Sequence, residues 1–313
     1  MYGDIKLYAG SACQELARRV ADYIGIGLSP WEIITFPNEN IFIRLSGSVR
    51  GQDVFLIQTH DRPVHNNIME MLIAIDCFKR DSAGRVTVVV PYMAYSQSDK
   101  KDQPRVPITA RLLADMIEIA GADRWITIDL HSGQIQGFYK IPGDALSAQH
   151  IICDYIRQKN LEATVVTTDL GFAKGGRNYA AALNLPLAFV EKRRAGNEPG
   201  REALTLIGSV AGRDVLIVDD LVDTAGSVQQ AAEVVRAHGA RDVYLAFTHA
   251  VLSPPAFERL AALDLKEIVT TDTLPIDPAD MLPNMTILTV AGLLGEVIMR
   301  SHEGRSVGEL FNE

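Results

Sequence analysis

Residues 215–227 read VLIVDDLVDTAGS. The four apolar residues at 215–218 are far too few for a membrane span and suit a strand covered on both faces. The run ends in two adjacent carboxylates, Asp219 and Asp220. A short loop follows, Asp223-Thr224-Ala225-Gly226-Ser227, and an apolar-periodic segment to about residue 238 reads as a helix closed by Gly239. Backbone amides at a helix start, with small side chains and two hydroxyls, make a cradle for phosphate. The two carboxylates would repel a phosphate, so they suit the hydroxyls of a sugar or a metal beside it. The stretch therefore reads as a strand–loop–helix unit with a site for a sugar phosphate.

The same alternation extends in both directions. Residues 53–60, 85–92 and 124–131 have the β-branched runs of buried strands, as do 164–169, 187–192, 214–220 and 242–249. Helical spacing falls at 66–80, 108–120 and 173–183. In the second of these Ile108, Leu112, Met116 and Ile119 recur with a helical period. Ser11 and Gln14 have the spacing of a capping box opening a helix that ends near Gly25. Repeated βα units predict parallel sheets covered by helices, with ligands at the carboxyl ends of the strands. The chain has 313 residues, which at about 150 per domain predicts two domains. The turn signal Ile141-Pro142-Gly143-Asp144 places the boundary near 143–150.

Composition narrows the function classes. The charge sum is 30 − 39 = −9, against a protein that coats nucleic acid or an anionic membrane by bulk charge. No apolar run reaches the roughly 18 residues of a membrane span, and no signal peptide is visible at the start. The three cysteines, Cys13, Cys77 and Cys153, form no CxxC pair and fit reduced thiols in the cytoplasm.

With these features in view, VDDLVDTAGS resembles the fingerprint loop of phosphoribosyltransferases and ribose-phosphate pyrophosphokinases. MEMLIAIDCFKR at 69–80, DQPRVPITARLLADM at 102–116, AGADRWITIDLHSGQIQGFYKIP at 120–142, VEKRRAGNE at 190–198 and SVGELF at 306–311 closely resemble the pyrophosphokinases. The resemblance implies an α/β fold of two phosphoribosyltransferase-like domains, each a mainly parallel sheet flanked by helices. Residues 1–146 would bind ATP, with a tail at 295–313 docking back, and 147–294 would bind ribose 5-phosphate. It implies transfer of the β,γ-diphosphoryl group of ATP to the C1 hydroxyl of ribose 5-phosphate, with Mg²⁺ as cofactor. It also implies a homo-oligomer, commonly a hexamer built from dimers.

The resemblance assigns residues as follows. Lys192 and Arg194 inherit the catalytic roles of a lid that begins KRR, where cations meet the transferring group. Asp219, Asp220, Asp223, Thr224, Ala225, Gly226 and Ser227 inherit ribose 5-phosphate. Phe36, Asn38 and Asn40 inherit the adenine, and Gln97, Ser98, Asp99, Lys100 and His131 the rest of ATP. Asp129, His131 and Asp169 inherit the metal. Two departures stand out. In YSQSDKK at 95–101, Gln97 and Ser98 replace the family's arginine and glutamine, which removes a charge-assisted contact to phosphate. In DLGFAKGGR at 169–177, Phe172 replaces a glycine. Two other readings compete. One is a non-catalytic subunit associated with such an enzyme. The other is a phosphoribosyltransferase, which would release pyrophosphate where the pyrophosphokinase releases AMP.

Overall fold

The computed structural model describes residues 2–194 and 202–311, except the side chains of 192–194, 202, 203, 309 and 311. The elements run β1 (Ile5–Ala9), α1 (Gln14–Ile24), β2 (Trp31–Thr35), β3 (Ile41–Leu45), β4 (Asp53–Ile57), α2 (Val64–Arg80), β5 (Arg85–Val90), α3 (Thr109–Ala120), β6 (Arg124–Ile128) and β7 (Gly143–Leu146). Then come α4 (Gln149–Arg157), β8 (Ala163–Thr167), α5 (Ala173–Leu183), β9 (Leu187–Arg194), β10 (Glu202–Ile207), β11 (Asp214–Val222), α6 (Gly226–Ala237), β12 (Val243–Ala250), α7 (Ala256–Ala262), β13 (Glu267–Thr271), β14 (Met285–Leu288) and α8 (Ala291–Glu303). None of the described helices is long and apolar enough to cross a membrane.

The chain divides into two compact units. The first comprises Met1–Ser147, Thr273–Pro275 and Thr289–Glu313. The second comprises Ala148–Asp272 and Ile276–Leu288. The first unit thus takes segments that a division at 147–294 assigns to the second. Thr273 is tied in by Thr59, whose Oγ1 donates to the Thr273 carbonyl at 2.7 Å. In the same unit α8 packs on α1, and a Cβ added at Gly295 would fall 2.3 Å from the Tyr23 ring, so only glycine permits that approach. Arg85 donates to the buried carboxylate of Asp53 at 2.5 Å and to the Ser301 carbonyl at 3.0 Å, and His302 Nδ1 lies 2.8 Å from Asp53.

In the first unit the sheet order is β1-β4-β5-β6-β7, all parallel. Its strands are shorter than their apolar runs. Residues 58–60, 91–92 and 129–131 continue past the strand ends, so Asp129 and His131 sit on the connection after β6. Gln58, Thr59 and His60 stay buried past the strand end because their polar groups find other partners: Gln58 Nε2 donates to the Glu70 carboxylate at 2.8 Å, and the His60 amide donates to the Tyr92 carbonyl at 3.1 Å. The capping box does not form. The Ser11 amide donates to the buried Glu70 carboxylate at 2.7 Å, and Gln14 Nε2 turns back to the Ala9 and Gly10 carbonyls at 3.1 Å. The Glu70 carboxylate, 59 residues away, takes the amide that the motif would have used. Of the apolar set on α3, Leu112 and Ile119 point away from the core and Met116 is half-buried. Leu112 is 57% and Ile119 85% exposed, while Ala110, Leu113, Ala114 and Ile117 face inward. β2 and β3 form a separate antiparallel hairpin, fixed to the core by Trp31, Ile33, Ile41, Ile43 and Leu45.

In the second unit the order is β10-β9-β8-β11-β12-β13-β14. Only the β9–β10 pair is antiparallel. Along β11, Val215 and Ile217 join one hydrophobic cluster, and Leu216 and Val218 join another on the opposite face. That two-sided burial explains the unbroken apolar run. From β8 the chain moves to β9 on one side and returns as β11 on the other. The carboxyl ends of β8 and β11 therefore flank a topological switch point, where open α/β sheets bind ligands.

Candidate active site

The second unit gathers a group of polar side chains at that switch point. β8 ends at Thr167, paired with Val218 of β11. The next residues on the two strands are Thr168 and Asp219, and Thr168 Oγ1 donates to Asp219 Oδ2 at 2.5 Å. Asp219 Oδ1 accepts the Asp220 amide at 3.0 Å, and Asp220 Oδ1 accepts the Leu221 amide at 3.0 Å. Burial raises the Asp219 pKa well above the ordinary carboxylate range. The charge of Asp220 and, further off, that of Asp169 push it the same way, while the Thr168 hydrogen bond opposes them. An adjacent pair of carboxylates of this kind suits hydroxyl donors or a cation and, when ionised, repels anions.

Asp169 follows β8 on the turn into α5. Its Oδ1 accepts the amides of Gly171 at 2.7 Å and Phe172 at 3.2 Å, a local turn just ahead of that helix. The Phe172 ring folds back over Gly175, where an added Cβ would meet it at 2.3 Å. Phe172 thus packs on its own helix at the position where a glycine is replaced.

After β11 the chain runs through Asp223 and Thr224, both exposed, to Ala225, which is buried with φ +59°. α6 begins at Gly226, and the Gln229 amide donates to the Ala225 carbonyl at 2.9 Å. Ser227 lies in the first turn. All five loop residues thus stand at the amino end of one helix, beside the acidic end of β11. Lys192 and Arg194 belong to β9 by their backbone, but their side chains, and residues 195–201, lie outside the described residues.

In the first unit the remaining candidates occupy three places. Phe36, Asn38 and Asn40 form the tip of the β2–β3 hairpin. The Phe36 amide donates to the Asn40 carbonyl at 2.9 Å, and Asn38 Oδ1 accepts the Asn40 amide at 3.2 Å. Phe36 is 45% exposed, and its ring lies tilted against that of Phe42 with centres 6.2 Å apart. A second place is a cleft of about 370 Å³ lined by Gln97, Ser98, Lys100, Asp102, Val106 and Pro107. Gln97 and Lys100 are exposed there and Asp99 is half-buried. Ser98 also shapes the backbone. Its Oγ accepts the Thr109 amide at 3.3 Å and its carbonyl the Ala110 amide at 3.1 Å, closing the amino end of α3. The third place holds Asp129, at φ +40° with its amide on the Leu146 carbonyl at 2.8 Å, and the exposed His131. No hydrogen bond or ion pair among the described residues joins the hairpin tip to the cleft.

Comparison with known proteins decides the family. Residues 5–121 match the model of the N-terminal domain of ribose phosphate pyrophosphokinase, and residues 195–312 match the phosphoribosyl synthetase-associated domain. A ribose-phosphate pyrophosphokinase of Caldanaerobacter subterraneus subsp. tengcongensis is 44% identical over 98% of both chains. The chain belongs to the ribose-phosphate pyrophosphokinase family. A chloroplastic ribose-phosphate pyrophosphokinase 1 of Arabidopsis thaliana is 43% identical over 98% of this chain and 77% of its own. The crystal structure of phosphoribosylpyrophosphate synthetase from Mycobacterium smegmatis aligns with a TM-score of 0.92 at 39% identity, covering 96% of this chain and 100% of that one.

Sequence reasoning within this ribose-phosphate pyrophosphokinase family missed Thr168. Its only signal is a hydroxyl next to Asp169, and nothing in the sequence pairs it with a residue 51 positions away. Metal ligation is not preassembled: among the described residues no group of three or more His, Cys, Asp or Glu side chains is placed to hold a metal ion. Mg²⁺ does not require one, because it keeps several waters and takes substrate phosphates with one or two carboxylates. The donor chemistry of Asp129 and Asp169 suits it.

Proposed function

We propose that this chain is a catalytically active ribose-phosphate pyrophosphokinase. The carrying observation is the acidic end of β11 running into the 223–227 loop at the start of α6. It occurs in a chain with a relative of that name 44% identical over 98% of its length. The C1 hydroxyl oxygen of ribose 5-phosphate attacks the β-phosphorus of ATP, the bond from that phosphorus to the α,β-bridging oxygen breaks, and AMP leaves.

Asp219 and Asp220 accept hydrogen bonds from the ribose hydroxyls, and the small residues of 223–227 let the 5-phosphate approach backbone amides. Phe36 stacks on adenine, with Asn38 and Asn40 at its edge. Gln97, Ser98, Asp99, Lys100 and His131 line the remainder of the nucleotide. Lys192 and Arg194 bring positive charge to the diphosphoryl group as it transfers. Asp129, His131 and Asp169 are the candidate donors for Mg²⁺. When bound, the ion neutralises charge on the triphosphate. The protein works in the cytoplasm as a homo-oligomer, and the loop and the acidic pair are addressed to small substrates, not to nucleic acid or membrane.

Product analysis tests this reading. With Mg-ATP, AMP should form only when ribose 5-phosphate is present, in equal amount to a new phosphorylated sugar. ADP in place of AMP would make it a simple kinase and overturn the proposal.

A further inference from the structure

Arg259 lies on α7, outside every segment that the sequence singles out. Its Nη1 donates to the Thr224 carbonyl at 2.8 Å. A Cβ added at Gly226 would sit 3.5 Å from the same nitrogen, so the guanidinium lies against the backbone of 224–226. Among the described residues this is its one side-chain hydrogen bond, and no carboxylate pairs with it. An unneutralised cation is thus held beside the loop that the proposed function assigns to a phosphate.

The geometry gives that contact a direction. The Thr224–Ala225 peptide is trans, and a planar trans peptide carries its C=O and N–H on opposite edges. Anchoring the Thr224 carbonyl on the Arg259 side turns the Ala225 N–H the other way. The peptide needs such a hold, because Ala225 adopts φ +59°, a left-handed conformation that a residue with a Cβ rarely takes unaided. From the helix side the Gln229 amide already fixes the Ala225 carbonyl at 2.9 Å. Arg259 supplies the matching hold on the other side. The Ala225 amide itself donates to no group among the described residues.

We propose that Arg259 is a positioning residue of the sugar-phosphate loop. It fixes the Thr224–Ala225 peptide so that the Ala225 N–H is already presented to a phosphate monoester before one binds. The inference rests on the ribose 5-phosphate reading of residues 223–227. Arg259 touches the loop and not the ligand, so it acts through preorganisation, which lowers the cost of ordering on binding.

Calorimetric titration of the full chain with ribose 5-phosphate, together with steady-state kinetics, tests it. Arg259→Ala should weaken ribose 5-phosphate about tenfold, the scale of one charge-assisted hydrogen bond. KM for ribose 5-phosphate should rise, while KM for ATP and the thermal midpoint stay at their wild-type values. Arg259→Lys should recover part of the loss, and guanidinium ion at low concentration should restore binding to Arg259→Ala alone. If the wild type binds and Arg259→Ala binds equally well, the inference fails and the functional reading stands. If both Michaelis constants and the thermal midpoint change together, Arg259 is only structural and the inference fails. If the wild type does not bind ribose 5-phosphate, the reading of the loop fails and takes the inference with it.

Discussion

Thr168 Oγ1 donates to Asp219 Oδ2 at 2.5 Å where β8 has ended and β11 runs on beside it. The bond follows directly on the last paired residues of β8 and β11, and it acts on a carboxylate that burial and like charge make hard to ionise.

That relationship predicts a pH effect. Burial first, then Asp220 and Asp169, raise the Asp219 pKa, and Thr168 lowers it. In the proposed function ionised Asp219 is the form that accepts a ribose hydroxyl, so kcat/KM for ribose 5-phosphate should fall as pH drops through that raised value. Thr168→Val removes the opposing donor and should move this acid limb upward. Thr168→Ser should leave it in place. Measured pH profiles of the three proteins check this, and a Val profile that overlays the wild type would deny Thr168 any part in tuning the site.

Lys192→Ala and Arg194→Ala should each lower turnover by about 100-fold or more, because each removes a cation aimed at charge that develops in the transition state. Binding of ribose 5-phosphate should change little. Steady-state kinetics with both substrates varied make the comparison, and near-wild-type turnover would break the lid assignment.

Gln97→Arg places a guanidinium in the cleft lined by Ser98 and Lys100. KM for ATP should fall by about tenfold if the neutral side chain is an uncompensated loss, the scale of one charge-assisted contact. An unchanged KM would mean that Lys100 or a neighbour already supplies the charge.

His60 gives a stability prediction. It is 1% exposed, its Nδ1 accepts the Ala94 amide at 3.2 Å, and its Nε2 has no partner among the described residues. Burial lowers its pKa to about 3. The unfolded chain binds this proton near pH 6.5 and the folded one resists it, so the contribution is complete above that value. Between pH 6.5 and about 3 stability should fall by up to about 1.4 kcal/mol per pH unit as this group titrates. Denaturant titrations from pH 7 to 4 should show a shallower decline for His60→Gln than for the wild type. Parallel declines would contradict it.

The β11 run, the 223–227 loop and most helices were legible because their signals are local: apolar runs, carboxylates, small residues and helical spacing. What escaped depends on distant partners. Ser11 and Gln14 have capping spacing, yet Glu70 competes for the same amide. On α3 both faces are apolar at helical period, so spacing could not choose Ile117 over Leu112 as the inward residue. The β2–β3 hairpin went unread because its strands are partly exposed and interrupted by Glu32 and Arg44, so neither has the buried apolar run of the sheet strands, and its tip hydrogen bonds involve ordinary backbone amides. Thr168 and Arg259 reach the site from 51 and 35 positions away, and spacing along the chain carries no trace of either contact.

Phosphorus NMR of the purified protein with Mg-ATP and ribose 5-phosphate tests the central claim most directly. The ATP signals should decay while AMP and a diphosphate attached to C1 of the sugar appear together in equal amount. Persistent ATP in a folded sample, with and without added inorganic phosphate, would contradict it.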